Sequence, residues 1–303
     1  MDRRSALAGL AALSFAPRLA FGQSISTASL VAQVGPATLR EHVFGLSSFP
    51  TRWTNHPEFG AVEQWVVDAF AADGAQHVTR QAYTMPSGKT RHNIVVRDPA
   101  DTREMVLVGA HFDSISENPS QDAPGANDNA TGVAAMLEAH RIFSQVITGR
   151  QIVFVAFSGE EQGLNGSTAT AAIAAQAGWP ISLMLNLDML GHRPPAPDAP
   201  MIIEYDQGNI VPTNDAPARD FAQTAAQLAA VHTTLTTSHT DIWASDYMPF
   251  EAQGFPCIGL YDGGAEGAHY HTTHDTPDNV DYQRLEQATR LVVAILASAA
   301  GLS

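Results

Sequence analysis

Five short stretches of this 303-residue chain carry side chains able to bind metal ions or move protons. His111-Phe112-Asp113 closes the apolar run 105–110. Residues two apart on a strand face the same way, so this imidazole and carboxylate can address one site. A metal-ligating histidine usually gives its second ring N–H to a carboxylate, and Asp113 is placed either to accept it or to be a ligand itself. Asp128 lies in residues 124–132, a stretch of glycines and small residues that leads into a helix. Asn129 or Thr131 suffices as the helix cap there, which leaves the Asp128 carboxylate without a structural duty. Glu160 and Glu161 stand between Gly159 and Gly163, just beyond the apolar run Gln151–Phe157. Neighbouring glutamates beside a buried strand repel unless a cation or a proton relieves them. Both can reach one site only once the strand has ended, and the flanking glycines permit that turn. Asp188, inside the apolar run 185–191, needs a partner; Asn186 is one candidate and a metal ion a better one. Finally, His269, His271 and His274 crowd a loop before the last helix, a poor fit to core packing.

Each stretch alone has a bland explanation: a structural His–Asp pair, a helix cap, a solvated acidic loop. Together they supply imidazole and carboxylate from five separated places with no thiolate. That donor set suits zinc or another divalent first-row ion. Charge balance favours a pair of ions. Asp128, Glu161 and Asp188 with one bridging hydroxide would neutralise two dications, whereas a single ion would leave the cluster anionic.

The elements that must position these groups alternate along the chain. Apolar or β-branched runs at 93–97, 105–110, 151–157, 181–187, 201–205 and 257–261 read as strands. Helical spacing marks 62–70, 131–143, 164–177, 218–231 and 282–299. This alternation predicts an α/β fold: an open, mostly parallel, twisted sheet with helices on both faces. In such sheets functional groups gather at the carboxyl ends of strands, where these stretches fall. One catalytic domain over 23–303 is the economical division, with the proline-rich stretch 192–200 a surface excursion.

Composition narrows the partners. Apolar residues make up 45% of the chain, enough for a large core, and the formal charge is −15. That charge argues against nucleic acid or an anionic membrane and suits a protein that draws in cations or positively charged peptide ends. Arg3-Arg4, the apolar run 6–16 and the small residues near Gly22 have the anatomy of a signal peptide over 1–22, compatible with twin-arginine export. The run is too short to span a bilayer, no second span follows, and an exported, periplasmic or extracellular protein is expected. Cys257 is the only cysteine, so it forms no internal disulfide and is expected to be a small buried hydrophobe.

Taken in order, the motifs resemble metallopeptidase family twenty-eight, the co-catalytic two-zinc aminopeptidases. The resemblance runs from about His92 to Asn279. It rests on H-x-D at 111–113, G-A-N-D-N-A-T-G at 125–132, G-E-E-Q-G at 159–163, N-L-D-M at 186–189 and Y-H-T-T-x-D-T at 270–276. It implies that His111 and Asp188 hold one zinc, that Glu161 and His271 hold the other, and that Asp128 bridges them. It further implies that Asp113 supports His111, that Glu160 is the general base on a metal-bridging hydroxide, and that Tyr270 assists the carbonyl oxygen. Peptides with a free N-terminus are the implied substrates. His269 and His274 are then solvated or supporting groups. Ser245-Asp246-Tyr247 is similar to the family's S-D-H, but Tyr247 departs from it, and Asp246 is expected to serve loop or pocket packing. Three other readings fit parts of this pattern: a carboxypeptidase or dipeptidase on the same scaffold, glutaminyl cyclization with a single zinc, and a non-catalytic binding domain. The complete donor set speaks against the last two.

Overall fold

Nearly continuous apolar runs form the middle of the sheet, because a strand covered on both faces has no solvent side to mark with polar residues. The computed structural model describes residues 25–193, 199–262 and 267–302. The signal-peptide expectation for 1–22 lies outside the described residues, as does 194–198 of the proline-rich stretch. The strands are β1 (Val78–Thr84), β2 (Thr90–Val96), β3 (Met105–His111), β4 (Gln151–Phe157), β5 (Ile181–Asp188), β6 (Met201–Tyr205), β7 (Thr237–Asp241) and β8 (Cys257–Tyr261). They form one eight-stranded sheet in the order β1-β2-β4-β3-β5-β8-β6-β7.

The central strands β4, β3, β5 and β8 are parallel. The margins differ from the parallel expectation: β1–β2, β2–β4 and β8–β6 pair antiparallel, while β7 runs parallel to β6. The edge strands β1 and β7 lack the apolar run that marks the others, since much of each faces solvent, and periodicity did not reveal them. The helices are α1 (Thr27–Val31), α2 (Pro36–Leu46), α3 (Phe59–Ala72), α4 (Thr131–Phe143), α5 (Asn165–Ala177), α6 (Asp215–His232), α7 (Met248–Glu251) and α8 (Tyr282–Ala299). The expected helices α3 to α6 and α8 match to within a turn. α1, α2 and α7 were not expected, although α2 has Pro36 in its first turn and buries Leu39, Val43 and Leu46 along one stripe.

Alternation along β3 divides the core in two. Val106, Val108 and Ala110 pack with α2, α3, α4 and α8 on one face. Met105 and Leu107 pack with α5 and α7 on the other. Cys257 is fully buried, and its thiol donates to the Phe255 carbonyl at 3.2 Å. The consequence for function is registration. Because β4, β3, β5 and β8 are parallel neighbours, their carboxyl ends open on one edge of the sheet, and His111, the loop after Phe157, and Asp188 are delivered there together.

Candidate metal centre

His111 ends β3 and is almost wholly buried. Its Nε2 lies 3.3 Å from Asp128 Oδ1 and 3.5 Å from Asp188 Oδ1. Across the cluster, His271 Nε2 lies 3.2 Å from Asp128 Oδ2 and 3.0 Å from Glu161 Oε2. One carboxylate thus stands between two histidines, each of which has a further carboxylate of its own. Donor atoms of His111, Asp128 and Asp188 come within 4.8 Å of one another, as do those of Asp128, Glu161 and His271 and those of His111, Glu160 and Glu161. Of the three loop histidines only His271 turns inward; His269 and His274 are exposed, with their rings 6.2 Å apart. Tyr270 stacks on the His271 ring at 3.7 Å.

Backbone devices hold these groups in place. The strand has ended before the glutamates, and Gly159 has φ +76°, where a side chain would run into the Tyr83 hydroxyl at 2.7 Å. Both Glu160 N–H and Glu161 N–H then donate to the Asp113 carboxylate, at 3.2 and 3.3 Å. Asp113 also stands beside the imidazole, with His111 Nδ1 3.3 Å from its carbonyl oxygen and 3.7 Å from its carboxylate. Asp113 therefore aims the glutamate turn as much as the imidazole. The Asp128–Asn129 peptide bond is cis. Asn129 accepts from Gly132 N–H and Met189 N–H and donates to the Leu187 carbonyl, tying the start of α4 to the end of β5. Among the described residues three non-glycines have positive φ, and two of them, Met189 and His271, flank or form the cluster. Such strain persists only where surrounding contacts over-determine it, and it gathers at functional sites.

Four further residues support the cluster, and of these only Arg52 lies outside the motifs named above. Arg52 is fully buried; its Nε and Nη2 donate to the Phe112 and Gly125 carbonyls at 2.8 Å each, and its Nη1 donates to the Pro124 carbonyl. It ties the residue after His111 to the turn before Asp128, within the connection from β3 to α4. Asp275 takes the N–H groups of Asn127 and Asp128, both at 2.9 Å, and Ser245 donates to Asp188 Oδ2 at 2.7 Å. Asp246, expected to serve loop or pocket packing, lies beside these groups, and burial pushes its pKa up to about 7. It is fully buried, and its charge is among those acting on Glu160.

The electrostatics are those of too many anions in too little water. Burial opposes a charge on His111, yet Asp188 and Asp128 together outweigh it and raise its pKa well above the ordinary value. His271 follows the same pattern, with Asp128 and Glu161 outweighing burial to bring it up to about 10. Burial, with Asp246, Asp188 and Glu161 adding to it, pushes Glu160 well above the ordinary carboxylate range. Glu161 is pushed up to about 8 by burial and by Asp128. Two buried carboxylate oxygens aimed here, Glu161 Oε1 and Asp188 Oδ1, have no hydrogen-bond partner. Orphaned oxygens, crowded carboxylates and two facing imidazoles with no thiolate fit divalent cations of the zinc type.

A cavity of about 670 Å³ opens directly from the cluster, lined by His111, Glu160 and Tyr270 together with Ile202, Glu204 and Trp243. In its wall the Tyr247 hydroxyl donates to Glu204 Oε2 at 2.8 Å and accepts from Trp243 N–H at 2.8 Å.

Peptidase family M28, as a family model, matches residues 93–296. Leucine aminopeptidase 1 of Arthroderma otae is 28% identical over 311 aligned positions, which cover 96% of this chain and 82% of that protein. The Legionella pneumophila LapA aminopeptidase superposes with a TM-score of 0.79 at 18% identity, over 91% of this chain and 74% of that one. A glutaminyl cyclase of Bacteroides thetaiotaomicron superposes with a TM-score of 0.72 at 20% identity, over 87% and 97% of the two chains. At these identities the superpositions show the fold alone, and it is shared by an aminopeptidase and a cyclase. The side chains have to decide the chemistry.

Proposed function

The chain belongs to peptidase family M28, and on that premise we propose that it is a zinc-dependent aminopeptidase that hydrolyses the first peptide bond of chains with a free N-terminus. The observation that carries this reading is the pair of donor triads sharing Asp128. His111 and Asp188 would hold one ion, Glu161 and His271 a second, with Asp128 common to both. A zinc pair bound there would acidify a shared water and polarise the scissile carbonyl.

The chain's own groups do the rest. Glu160 accepts the proton of the attacking water as its oxygen bonds to the carbonyl carbon, and returns that proton to the amine nitrogen as the C–N bond breaks. Burial and neighbouring carboxylates, by raising the pKa of Glu160, suit it to both halves of that transfer. Tyr270, whose ring stacks on His271 and which lines the cavity, supplies its hydroxyl as a donor for the developing oxyanion. Asp113 fixes the backbone on which Glu160 and Glu161 turn. The acidic surroundings attract a free α-ammonium, which favours reading the N-terminal end.

The test combines metal content with substrate choice. Elemental analysis should find two zinc ions per chain, and aminoacyl-anilides should be cleaved, with a chelator abolishing turnover. Cleavage confined to N-blocked substrates would overturn the aminopeptidase reading. A single zinc with conversion of N-terminal glutamine would instead favour the cyclase. We propose export as well, on the strength of the leader-like residues 1–22; recovery of the processed protein in the periplasm or medium is the check.

A further inference from the structure

Metal ions would account for Asp128, Glu161 and Asp188, but not for the other carboxylates that line the cavity. Glu204 and Asp241 both line it, and no lysine or arginine is among its described lining residues. Glu204 is 7% exposed, buried too deeply for a solvated surface charge. Ile202 and Glu204, two apart on β6, present an apolar wall and an acidic end to the same space.

Room for that acid is built into the sheet. Glu204 pairs with Gly259 of β8, and a side chain at Gly259 would come within 2.8 Å of Glu204 Oε2 and 2.5 Å of the Tyr247 ring. Tyr247 takes a hydrogen bond from Trp243 N–H, so its single hydroxyl proton is directed to Glu204, which is held as an acceptor. Nearer the surface, Asp241 is steadied by N–H groups of Ile242 and Gln207 and by the Asn209 amide.

From this arrangement we infer that the cavity selects a basic first residue, lysine or arginine, with Glu204 as the specificity-determining residue and Asp241 as its outer helper. The inference deepens the aminopeptidase reading and rests on it. The aliphatic stem of lysine or arginine lies along Ile202, Ile242 and Met189, and its charged end meets Glu204. A leucine-like side chain would fill the apolar part and strand a desolvated carboxylate, which is penalised more than a lost contact. Burial pushes Glu204 up to about 7 with the cavity empty, and an arriving cation reverses that shift.

The experiment compares kcat/KM of the zinc-loaded enzyme for lysyl and norleucyl p-nitroanilides, which share a butyl stem and differ in the ammonium group. The expected wild-type preference for lysine is ~10- to 100-fold, the usual cost of leaving a buried charged group unpaired. Glu204→Gln, which keeps the size of the side chain, should bring that ratio close to one. Asp241→Asn, at an exposed position, should lower it by a smaller factor. Equal or better cleavage of norleucine by the wild type would overturn the inference and leave the aminopeptidase reading standing. So would an unchanged ratio in Glu204→Gln. Absence of turnover on every free-amine anilide would overturn both together.

Discussion

Two histidines, His111 and His140, are buried to nearly the same degree, at 2% and 5% exposure, and the protein treats them oppositely. His111 sits among carboxylates at the sheet edge, and its pKa is raised well above the ordinary value. His140, in the last turn of α4, packs edge-on against Phe70 and Phe154 at 5.3 and 5.2 Å. Burial alone acts on it and lowers its pKa to about 4. Helix α4 links the two environments, since the turn before its first residue carries Asp128. Burial by itself therefore makes a histidine neutral and inert. A site arises where the fold gathers more negative charge than burial would allow without a cation. The same contrast separates the two acidic regions of the cavity, one matched to metal ions and the other, around Glu204, matched to a substrate cation.

The largest expected effect tests whether the crowded end does the chemistry. Glu160→Gln should retain the parent's metal content and lose at least ~10²-fold in turnover, the usual scale for a general base. Near-normal turnover with full metal content would remove Glu160 from the mechanism. Next is the choice among the loop histidines. His271→Ala should weaken metal binding by more than ~10²-fold, beyond the ~10- to 100-fold typical of a group that only supports a ligand. His274→Ala should bind metal as the parent does, and the reverse pattern would mean that the wrong imidazole has been placed at the cluster.

The third prediction tests the inert end. The folded pKa of His140, about 4, lies below its ordinary 6.5, so between those values the unfolded chain binds more protons. Stability from this residue is complete above about 6.5 and declines as the pH falls toward about 4, by roughly 3 kcal/mol in all. Urea unfolding across that range should show the decline, and His140→Leu should flatten it. An equal slope in both proteins would place the proton uptake elsewhere.

The central strands were legible because β3, β4 and β5 are buried on both faces and leave unbroken apolar runs. Edge strand β7, whose sequence is Thr-Ser-His-Thr-Asp, shows no such run, since its neighbours cover only part of it. The ligand candidates were legible because polar residues ending apolar runs need a reason to be there. Arg52 was not legible. It satisfies three backbone carbonyls from the two ends of the connection between β3 and α4, a task set entirely by where that connection passes. Glu204 belongs to the same class, as it acquires meaning only from what stands opposite it.

The residue types that can bind zinc, their absence of thiolate company and the kind of element each one ends are properties of the chain read in order. Periodicity and donor chemistry are local, and local rules suffice for them. Which donors meet is not local. Asp128 reaches His271, 143 positions away, because the order of the parallel strands and a positive φ at His271 bring the two rings and the carboxylate together. The partner of Glu204 was likewise decided across strands, by a glycine on β8 that leaves space for it. Convergence depends on strand order and on the volume left between neighbours, and neither is encoded in any single stretch of sequence.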